Sequence, residues 1–153
     1  MVDQSNQIEI PILWVGKATA YVPEAQTPQA AGLDLRADLN APFRFEPSRR
    51  VLVPTGIAIE LPAGFEAQVR PRSGLAWNHG ITVLNGPGTI DTDYRGEIKV
   101  LLIHLGEEQY TIQPGERIAQ LVVAPVWQVE WKPVDGLADT ERNPSGFGST
   151  GMQ

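Results

Sequence analysis

Two aspartates lie within a segment rich in turn-forming residues, residues 84–99, which read LNGPGTIDTDYRGEIK. Asp91 and Asp93 are two positions apart, so an extended backbone would place both carboxylates on one face. A carboxylate held beside a phosphate can act as a general base that activates water. The preceding Gly-Pro-Gly sequence favours a tight turn whose main-chain groups are open to a ligand. Spacing alone favours the alternative, a β-hairpin whose acids are merely solvated.

The C-terminal sequence SGFGSTG, residues 145–151, is a second candidate for ligand binding. Its glycines allow close approach of main-chain N–H groups to a phosphate, and its hydroxyls add further donors. It is not a Walker loop, because the lysine and the following helix are missing. A disordered chain end is the alternative for this segment alone, although Phe147 has no core to join and is suited to stacking on a base.

The chain has two histidines and no cysteine, which restricts other chemistries. His104 lies in an apolar segment and is expected in a core or an interface, whereas His79 precedes Gly80 in a loop with a structural or exposed role. Histidine metal clusters and Ser-His-Asp catalysis are therefore poorly supported. Ser73 is expected to act as a hydrogen-bond donor rather than as a nucleophile. The missing cysteine excludes disulfides and thiolate metal sites.

The charge balance opposes non-specific binding of nucleic acid. The net charge is −6 at pH 7, whereas such binding depends on a basic surface. Nine of the 12 basic residues are arginines, which suit two-pronged recognition of phosphate, although a compositional bias explains the ratio equally well. No targeting segment or membrane-spanning run is evident, so we expect a cytoplasmic protein without membrane or nucleic-acid partners.

Short β-strands are the elements that must position these residues. With 153 residues, we expect one domain. Pro11 suggests an edge strand, both faces of residues 97–105 look buried, and Ser73 is expected to cap one short helix ending near Asn78. Such closely spaced strands are typical of an all-β sandwich, barrel or jelly roll. Alternating or apolar patterns predict strands at residues 7–14, 33–37, 50–53, 56–61, 65–70, 81–84, 97–105, 117–126 and 127–131.

Five segments resemble, in order and over most of the chain, the signature motifs of the trimeric deoxyuridine triphosphatases (dUTPases). One such match is easily accidental, but five in sequence are highly specific. The resemblance overrides the alternatives for residues 84–99 and for the tail, and leaves the interpretation of the histidines unchanged. The segments are AGLDLRAD from Ala31, RPRSGLA from Arg70, NGPGTIDTDYRGE from Asn85, PGERIAQL from Pro114 and RNPSGFGSTG from Arg142.

The resemblance implies a distorted jelly roll, a β-sandwich-like barrel with one short helix per chain. It further implies a homotrimer in which each active site is assembled from three chains. Residues 1–135 would form the jelly-roll domain, and residues 136–153 a flexible C-terminal arm that completes the active site. Asn143, Pro144 and Ser145 stand where the family's arm is usually richer in glycine, which bears on the arm's flexibility.

The implied activity is the hydrolysis of dUTP to dUMP and pyrophosphate, assisted by Mg²⁺. This reaction supplies dUMP for thymidylate synthesis and keeps uracil out of DNA. By motif match, Asp91 is the base that activates water for in-line attack on the α-phosphate, and Gln120 helps to orient that water. Mg²⁺ would be held by the triphosphate and by waters without a direct protein ligand, and Asp34 would act through water.

The resemblance also assigns substrate-binding residues. Asn85 and the main chain of Gly88, Thr89 and Ile90 would recognise uracil, and Tyr94 would exclude a ribose 2′-hydroxyl. The triphosphate would contact Arg72, Ser73 and Gly74, with Lys99 nearby. The arm would close over the ligand through Arg142, Phe147, Gly148, Ser149 and Thr150.

Two other functions stay open at this point. The related dCTP deaminases need a glutamate base on the strand after residues 84–99, where Leu101 stands in this chain. A catalytically idle binding or regulatory protein would keep the fold and hold a nucleotide or a partner protein. Asp91, Tyr94 and the arm motif argue against this second alternative.

Overall fold

The computed structural model of the chain describes residues 7–17, 21–141 and 143–144. These ranges contain short strands and one helix, so the all-β class predicted from the strand spacing is confirmed. The elements are β1 (Ile12–Trp14), β2 (Glu24–Ala25), β3 (Leu33–Arg36), β4 (Phe43–Phe45), β5 (Arg50–Pro54), β6 (Ile57–Ile59), β7 (Phe65–Arg70), α1 (Ser73–His79), β8 (Ile81–Val83), β9 (Gly88–Ile90), β10 (Lys99–His104), β11 (Tyr110–Ile112) and β12 (Arg117–Pro125).

The largest sheet has five antiparallel strands in the order β2-β3-β12-β7-β9. Its centre is β12, whose nine residues pair with β3 at one end and with β7 along the other. Strands β5, β10 and β8 form a second sheet, and β1-β6 and β11-β4 form two-stranded ribbons. Since β1 pairs only with β6 among the described residues, the edge position indicated by Pro11 is confirmed, although the strand is shorter than predicted.

The core follows the alternation of the strands. Ala67 and Val69 of β7 point inward, as predicted, and β6 is buried along its whole length. Strand β10 buries Val100, Leu102 and His104, but the other face is only half-buried and ends at the exposed Leu105. The prediction that both faces of residues 97–105 are buried is therefore wrong for this second face.

His104 is a core residue, as predicted. Its Nδ1 accepts a hydrogen bond from the Gly106 N–H at 3.1 Å. The other ring nitrogen, Nε2, therefore carries the proton and donates to the Glu108 carbonyl at 2.9 Å. His79 is exposed at the end of α1, with its ring centroid 4.5 Å from that of Tyr110.

Residues 84–99 do not form a simple hairpin. Strands β8 and β10 pair, with Val83 opposite Leu102, but β9 between them leaves that sheet and pairs with β7. The segment therefore bridges two sheets. Asp91 and Asp93 lie at a turn, in which the Tyr94 N–H donates to the Asp91 carbonyl at 3.1 Å. The extended geometry that would place both carboxylates on one face is wrong.

Helix α1 begins one residue earlier than a Ser73 cap requires. Arg72 is the extended N-cap residue, no side chain caps the helix, and Ser73 is its first helical residue, so the predicted cap is wrong. The helix ends at His79, and its last hydrogen bond runs from the Gly80 N–H to the Ala76 carbonyl; Gly80 then adopts a φ of 65°, the left-handed conformation that favours glycine after a helix. Leu75 is the residue that α1 buries.

The predicted strand at residues 127–131 is absent. The chain has no regular secondary structure from Val126 to the end of the described residues, and Trp127 and Trp131 are 90% and 86% exposed. Alternation suits a strand only where a second strand is available, and none pairs here within the described residues. No helix in the described part of the chain has the length and apolar character needed to cross a membrane.

Candidate functional site

Seven of the predicted site residues line one cleft of about 310 Å³, which we call the hairpin cleft. The cleft lies where β9 and the loop after it face β10. Sequence reasoning missed three further lining residues, Leu52, Val69 and Glu97, and named the fourth, Leu101, only as the position where a deaminase would need a glutamate. The predicted residues in the cleft are Asn85, Gly88, Thr89, Ile90, Asp91, Tyr94 and Lys99.

Asp91 is the first residue beyond β9, and this position sets its chemistry. Its main-chain carbonyl is used by the Tyr94 N–H, whereas its side chain makes no hydrogen bond or ion pair with any described residue. The carboxylate is exposed in the cleft and keeps its lone pairs for a ligand or water. Asp93 does not line the cleft.

Strand β9 presents main-chain groups to the cleft. It is an edge strand of the five-stranded sheet, so the ladder with β7 uses only one side of its backbone. Gly88 is buried, and a Cβ there would lie 3.2 Å from the Asn85 amide nitrogen. Unpaired amide edges beside the apolar Val69 and Leu101 suit a flat heterocycle that has its own donors and acceptors.

Tyr94 forms one wall of the hairpin cleft and is held by its own loop. Its hydroxyl donates to the Glu97 carbonyl at 3.0 Å. A Cβ on Gly96 would lie 2.6 Å from Cζ of this ring, so only glycine at position 96 leaves room for it. The ring position is therefore fixed by the backbone of residues 96–97.

The other described site residues line a second cleft of about 420 Å³, which we call the arginine cleft. It is formed by the residues before β3, the start of α1 and the middle of β12. The predicted site is thus divided between two clefts of one chain. The predicted residues here are Asp34, Arg72, Ser73, Gly74 and Gln120.

Asp34 is held by two arginines. Its Oδ1 lies 3.2 Å from Nε of Arg72 and its Oδ2 lies 3.1 Å from Nη1 of Arg117, while its side chain is only 10% exposed. Two guanidinium charges outweigh one carboxylate, so the site favours an anion. Arg117 lies within the PGERIAQL segment, but sequence reasoning missed it because its partner Asp34 is 83 positions away along the chain.

Gln120 lies in β12, opposite Asp34 of β3 on one side and opposite Arg70 of β7 on the other. Its Nε2 donates to the Pro71 carbonyl at 3.0 Å, which fixes the amide and leaves Oε1 as an acceptor. Gly32 packs against this side chain, since a Cβ there would lie 3.0 Å from the Gln120 Cδ. Ser73 and Gly74 are exposed at the start of α1.

Tyr110 lines a separate cleft beside the end of α1, close enough to Arg72 to be affected by its charge. Its hydroxyl donates to the Glu116 carboxylate, whose other oxygen accepts the Gln113 N–H at 2.8 Å. Burial and then the neighbouring Glu116 raise the pKa of Tyr110 well above its usual value, and Arg72 acts in the opposite direction. The phenol of Tyr110 therefore keeps its proton, which it donates to Glu116, and the guanidinium of Arg72 lies nearby.

Within the described ranges, no three His, Cys, Asp or Glu side chains come together as a metal site. The predicted arm residues Arg142, Phe147, Gly148, Ser149 and Thr150 lie outside these ranges. Just before them, Asn143 and Thr140 exchange two hydrogen bonds, each of 3.0 Å, through their side chains and main-chain N–H groups.

The fold and the two clefts define an all-β protein equipped to bind a ligand that carries both a ring and anionic groups. The family model described as dUTPase matches residues 18–151, and the chain belongs to this dUTPase family.

Relatives agree with this assignment. The chain is 58% identical to the deoxyuridine 5′-triphosphate nucleotidohydrolase of Cytophaga hutchinsonii, over 90% of this chain and 89% of that protein. It resembles the solved dUTPase of Staphylococcus bacteriophage 80alpha with dUPNHPP (TM-score 0.82, 26% identity, 95% and 99% of the two chains). A dUTPase variant from phage phi11 of S. aureus, described with a structural Mg(II) ion, shares the fold (TM-score 0.76, 21% identity, 84% and 98% of the chains). The jelly-roll fold class is confirmed.

Proposed function

We propose that this protein hydrolyses dUTP to dUMP and pyrophosphate. The observation that carries the proposal is the carboxylate of Asp91 at the edge of the hairpin cleft, which has no partner among the described residues, in a chain of the dUTPase family. In the proposed reaction, water attacks the α-phosphorus in line with the bond to the β-phosphate. A new P–O bond forms, pyrophosphate leaves, and the proton of the water passes to Asp91.

The hairpin cleft is the proposed nucleoside site. The unpaired edge of β9 and the Asn85 amide are placed to hydrogen-bond uracil, with the apolar floor beneath the ring. The main-chain groups of Gly88, Thr89 and Ile90 supply this edge. Tyr94, held by the Glu97 carbonyl, packs against the deoxyribose and leaves no room for a 2′-hydroxyl.

The arginine cleft is the proposed phosphate site. Arg72 supplies a guanidinium already oriented by Asp34, while Ser73 and Gly74 offer exposed donors at the start of α1. Lys99 adds a cation from the hairpin cleft. Gln120, with its Nε2 fixed on Pro71, keeps an oxygen to orient the attacking water.

We include Mg²⁺ as the cofactor. Its preference for phosphate oxygens and waters fits a site in which the triphosphate itself supplies the ligands, and the bound ion would neutralise phosphate charge. The predicted role of Asp34 through water stays a prediction. Its two ion pairs support more directly a role in holding Arg72.

The division of the site between two clefts supports a homotrimer with shared active sites. In such an assembly the arginine cleft of one chain would face the hairpin cleft of another. Residues 1–135 would form the jelly-roll body. Residues 136–153 would form the arm, with Arg142, Phe147, Gly148, Ser149 and Thr150 closing over dUTP and excluding water. We place the protein in the cytoplasm, and a net charge of −6 does not suit a nucleic-acid partner.

Pyrophosphate release tests the function. Wild-type protein with Mg²⁺ is assayed on dUTP beside dTTP, dCTP and UTP, and only dUTP is expected to be hydrolysed rapidly. Tight binding of dUTP without turnover would instead indicate a binding protein. Ammonia release from dCTP would indicate a deaminase, although Leu101 lines the cleft where that reaction needs a glutamate.

A further inference from the structure

Glu97 lies in the wall of the hairpin cleft between two residues assigned to substrate binding, and no chemistry has been assigned to it. Its side chain is 21% exposed. One carboxylate oxygen, Oε1, accepts the Gly56 N–H at 3.0 Å, and the other, Oε2, lies 3.5 Å from Nζ of Lys99. Its main-chain carbonyl accepts the Tyr94 hydroxyl. Glu97 thus contacts both sides of the cleft at once.

The backbone around Glu97 is fixed without help from its carboxylate. The Thr55 hydroxyl donates to the Ile98 carbonyl at 2.6 Å, and the Ile98 N–H donates to the Ile57 carbonyl at 2.8 Å. Thr55 and Ile98 are both buried. Residue 98 is therefore tied to the turn that joins β5 to β6 and to the start of β6 by two hydrogen bonds, one from a side chain and one between main chains. The carboxylate is left to hold the Gly56 N–H and the Lys99 ammonium.

Lys99 needs such a partner. Its side chain is 46% exposed, and a lysine has a flexible stem whose rotamers are costly to order. A carboxylate anchored on Gly56 is a rigid counter-charge, which limits the positions of the ammonium group to the cleft wall. The Lys99 ammonium in turn balances one of the two negative charges of the cleft, because Asp91 and Glu97 face the same space as Lys99.

We propose that Glu97 is a positioning residue of the hairpin cleft, which acts on substrate binding through Lys99. This inference rests on the proposed hydrolysis of dUTP. The carboxylate orders the ammonium group, and the main-chain carbonyl independently holds Tyr94. A change in the side chain should therefore alter affinity for the phosphates and leave the selection of deoxyribose intact.

The test is a double-mutant cycle on full-length protein, with steady-state kinetics on dUTP. Glu97→Gln keeps an acceptor for Gly56 but loses the charge, and we expect KM to rise about 3- to 10-fold with kcat within about 2-fold. Lys99→Met should raise KM at least as much. If Glu97 acts through Lys99, the double variant should be no worse than Lys99→Met alone. Fully additive effects, or an unchanged KM in Glu97→Gln, would overturn the proposal.

A matched control separates this effect from charge in general. Glu60→Gln makes the same chemical change in an exposed ion pair with Arg95, 3.4 Å apart and outside the cleft, and KM should stay within about 2-fold. The ratio of kcat/KM for dUTP over UTP should be unchanged in Glu97→Gln, and a loss of this ratio would show that the side chain also holds Tyr94.

A second variant keeps the proposal testable if Glu97→Gln folds poorly. Glu97→Asp keeps the charge but withdraws it from Lys99, so KM should rise about 2- to 5-fold and kcat should not. A fall in kcat at constant KM would contradict the positioning role. An inactive wild-type enzyme would instead refute the proposed function, so the two failures are distinguishable.

Discussion

The two clefts use charge in opposite ways. In the hairpin cleft, Asp91 has no partner among the described residues, and the cleft around it is lined by apolar side chains, main-chain edges and the ion pair of Glu97 with Lys99. In the arginine cleft, Asp34 is nearly buried and both of its oxygens are held by guanidinium groups. One carboxylate is without a partner among the described residues and is the proposed proton acceptor, whereas the other is committed to two guanidinium groups. The same residue type therefore serves two different purposes because its surroundings differ.

The contrast indicates that the two clefts have different roles, one in the reaction and one in binding anionic groups. The hairpin cleft holds the proposed base and the proposed nucleoside-binding groups, whereas the arginine cleft holds Arg72, the guanidinium proposed to bind phosphates. Among the described residues, Lys99 is the only cation that lines the hairpin cleft, and the one carboxylate that lines the arginine cleft, Asp34, is already paired. A complete active site therefore needs the two kinds of cleft to be brought together, which is the strongest structural support for the proposed assembly.

The largest expected effect is that of Asp91→Asn. A positioned general base contributes about 10²- to 10⁴-fold, so kcat should fall by at least that factor, roughly 3–5 kcal/mol in the barrier, with little change in affinity for dUTP. The measurement is kcat from pyrophosphate release together with Kd for a non-hydrolysable dUTP analogue.

Asp93→Asn is the matched control, since it makes the same change two residues away and outside the cleft. Its kcat should stay within about 2-fold of the wild-type value. If Asp91→Asn retained wild-type kcat, or if both variants fell equally, the distinction between the two acids would be lost.

An intermediate effect is expected from Asp34→Asn. The amide cannot neutralise Arg72 and Arg117, so the guanidinium groups should lose their fixed orientation. We expect KM for dUTP to rise about 10-fold and the free energy of unfolding to fall by about 1–3 kcal/mol, measured by urea denaturation.

A surface pair provides the comparison for Asp34→Asn. Glu46→Gln removes the charge from an exposed ion pair with Arg44, and the free energy of unfolding should change by no more than about 0.5 kcal/mol. Equal losses in the two variants would show that Asp34 is no more than another surface charge, and would weaken the contrast between the clefts.

The smallest expected effect concerns Tyr110. Its pKa is raised in the folded protein above the usual value of about 10, so the folded state binds the proton more tightly than the unfolded state. The stability that the folded state gains from the protonated Tyr110 is complete below about pH 10 and declines as the pH rises above that value. In Tyr110→Phe this decline with pH should vanish, and the free energy of unfolding should fall by about 1 kcal/mol near pH 7 because the hydrogen bond to Glu116 is lost. Urea denaturation of both proteins from pH 8 to pH 11 tests this, and identical pH profiles would exclude the effect.

The fold was predictable where burial leaves a local pattern. Residues 65–70 alternate and form β7 with those bounds, and residues 117–126 predict β12 almost to the residue. The ribbon of β4 and β11 was missed because neither three-residue strand stands out as an alternating or continuously apolar run in the sequence. The alternation at Trp127 and Trp131 was misleading because a pattern does not reveal whether a partner strand is present.

The residues of the site were predictable from motifs, but the contacts among them were not. Resemblance supplied Asp91 and Arg72, and the structure places them in different clefts. Arg117 and Glu97 were missed because their significance depends on what they face across the sheets. Such pairings are set by register between strands distant in sequence, which no local pattern records.

The distribution of aromatic side chains has a practical consequence for spectroscopy. All four tryptophans, Trp14, Trp77, Trp127 and Trp131, are at least half exposed, so the indole fluorescence arises from the surface of this chain. Unfolding of a single chain should change this emission little, because the core lacks an indole to release into water. Association that covers residues 127–131 should instead shift the emission to shorter wavelength. The intrinsic fluorescence of this protein is therefore expected to report assembly rather than folding.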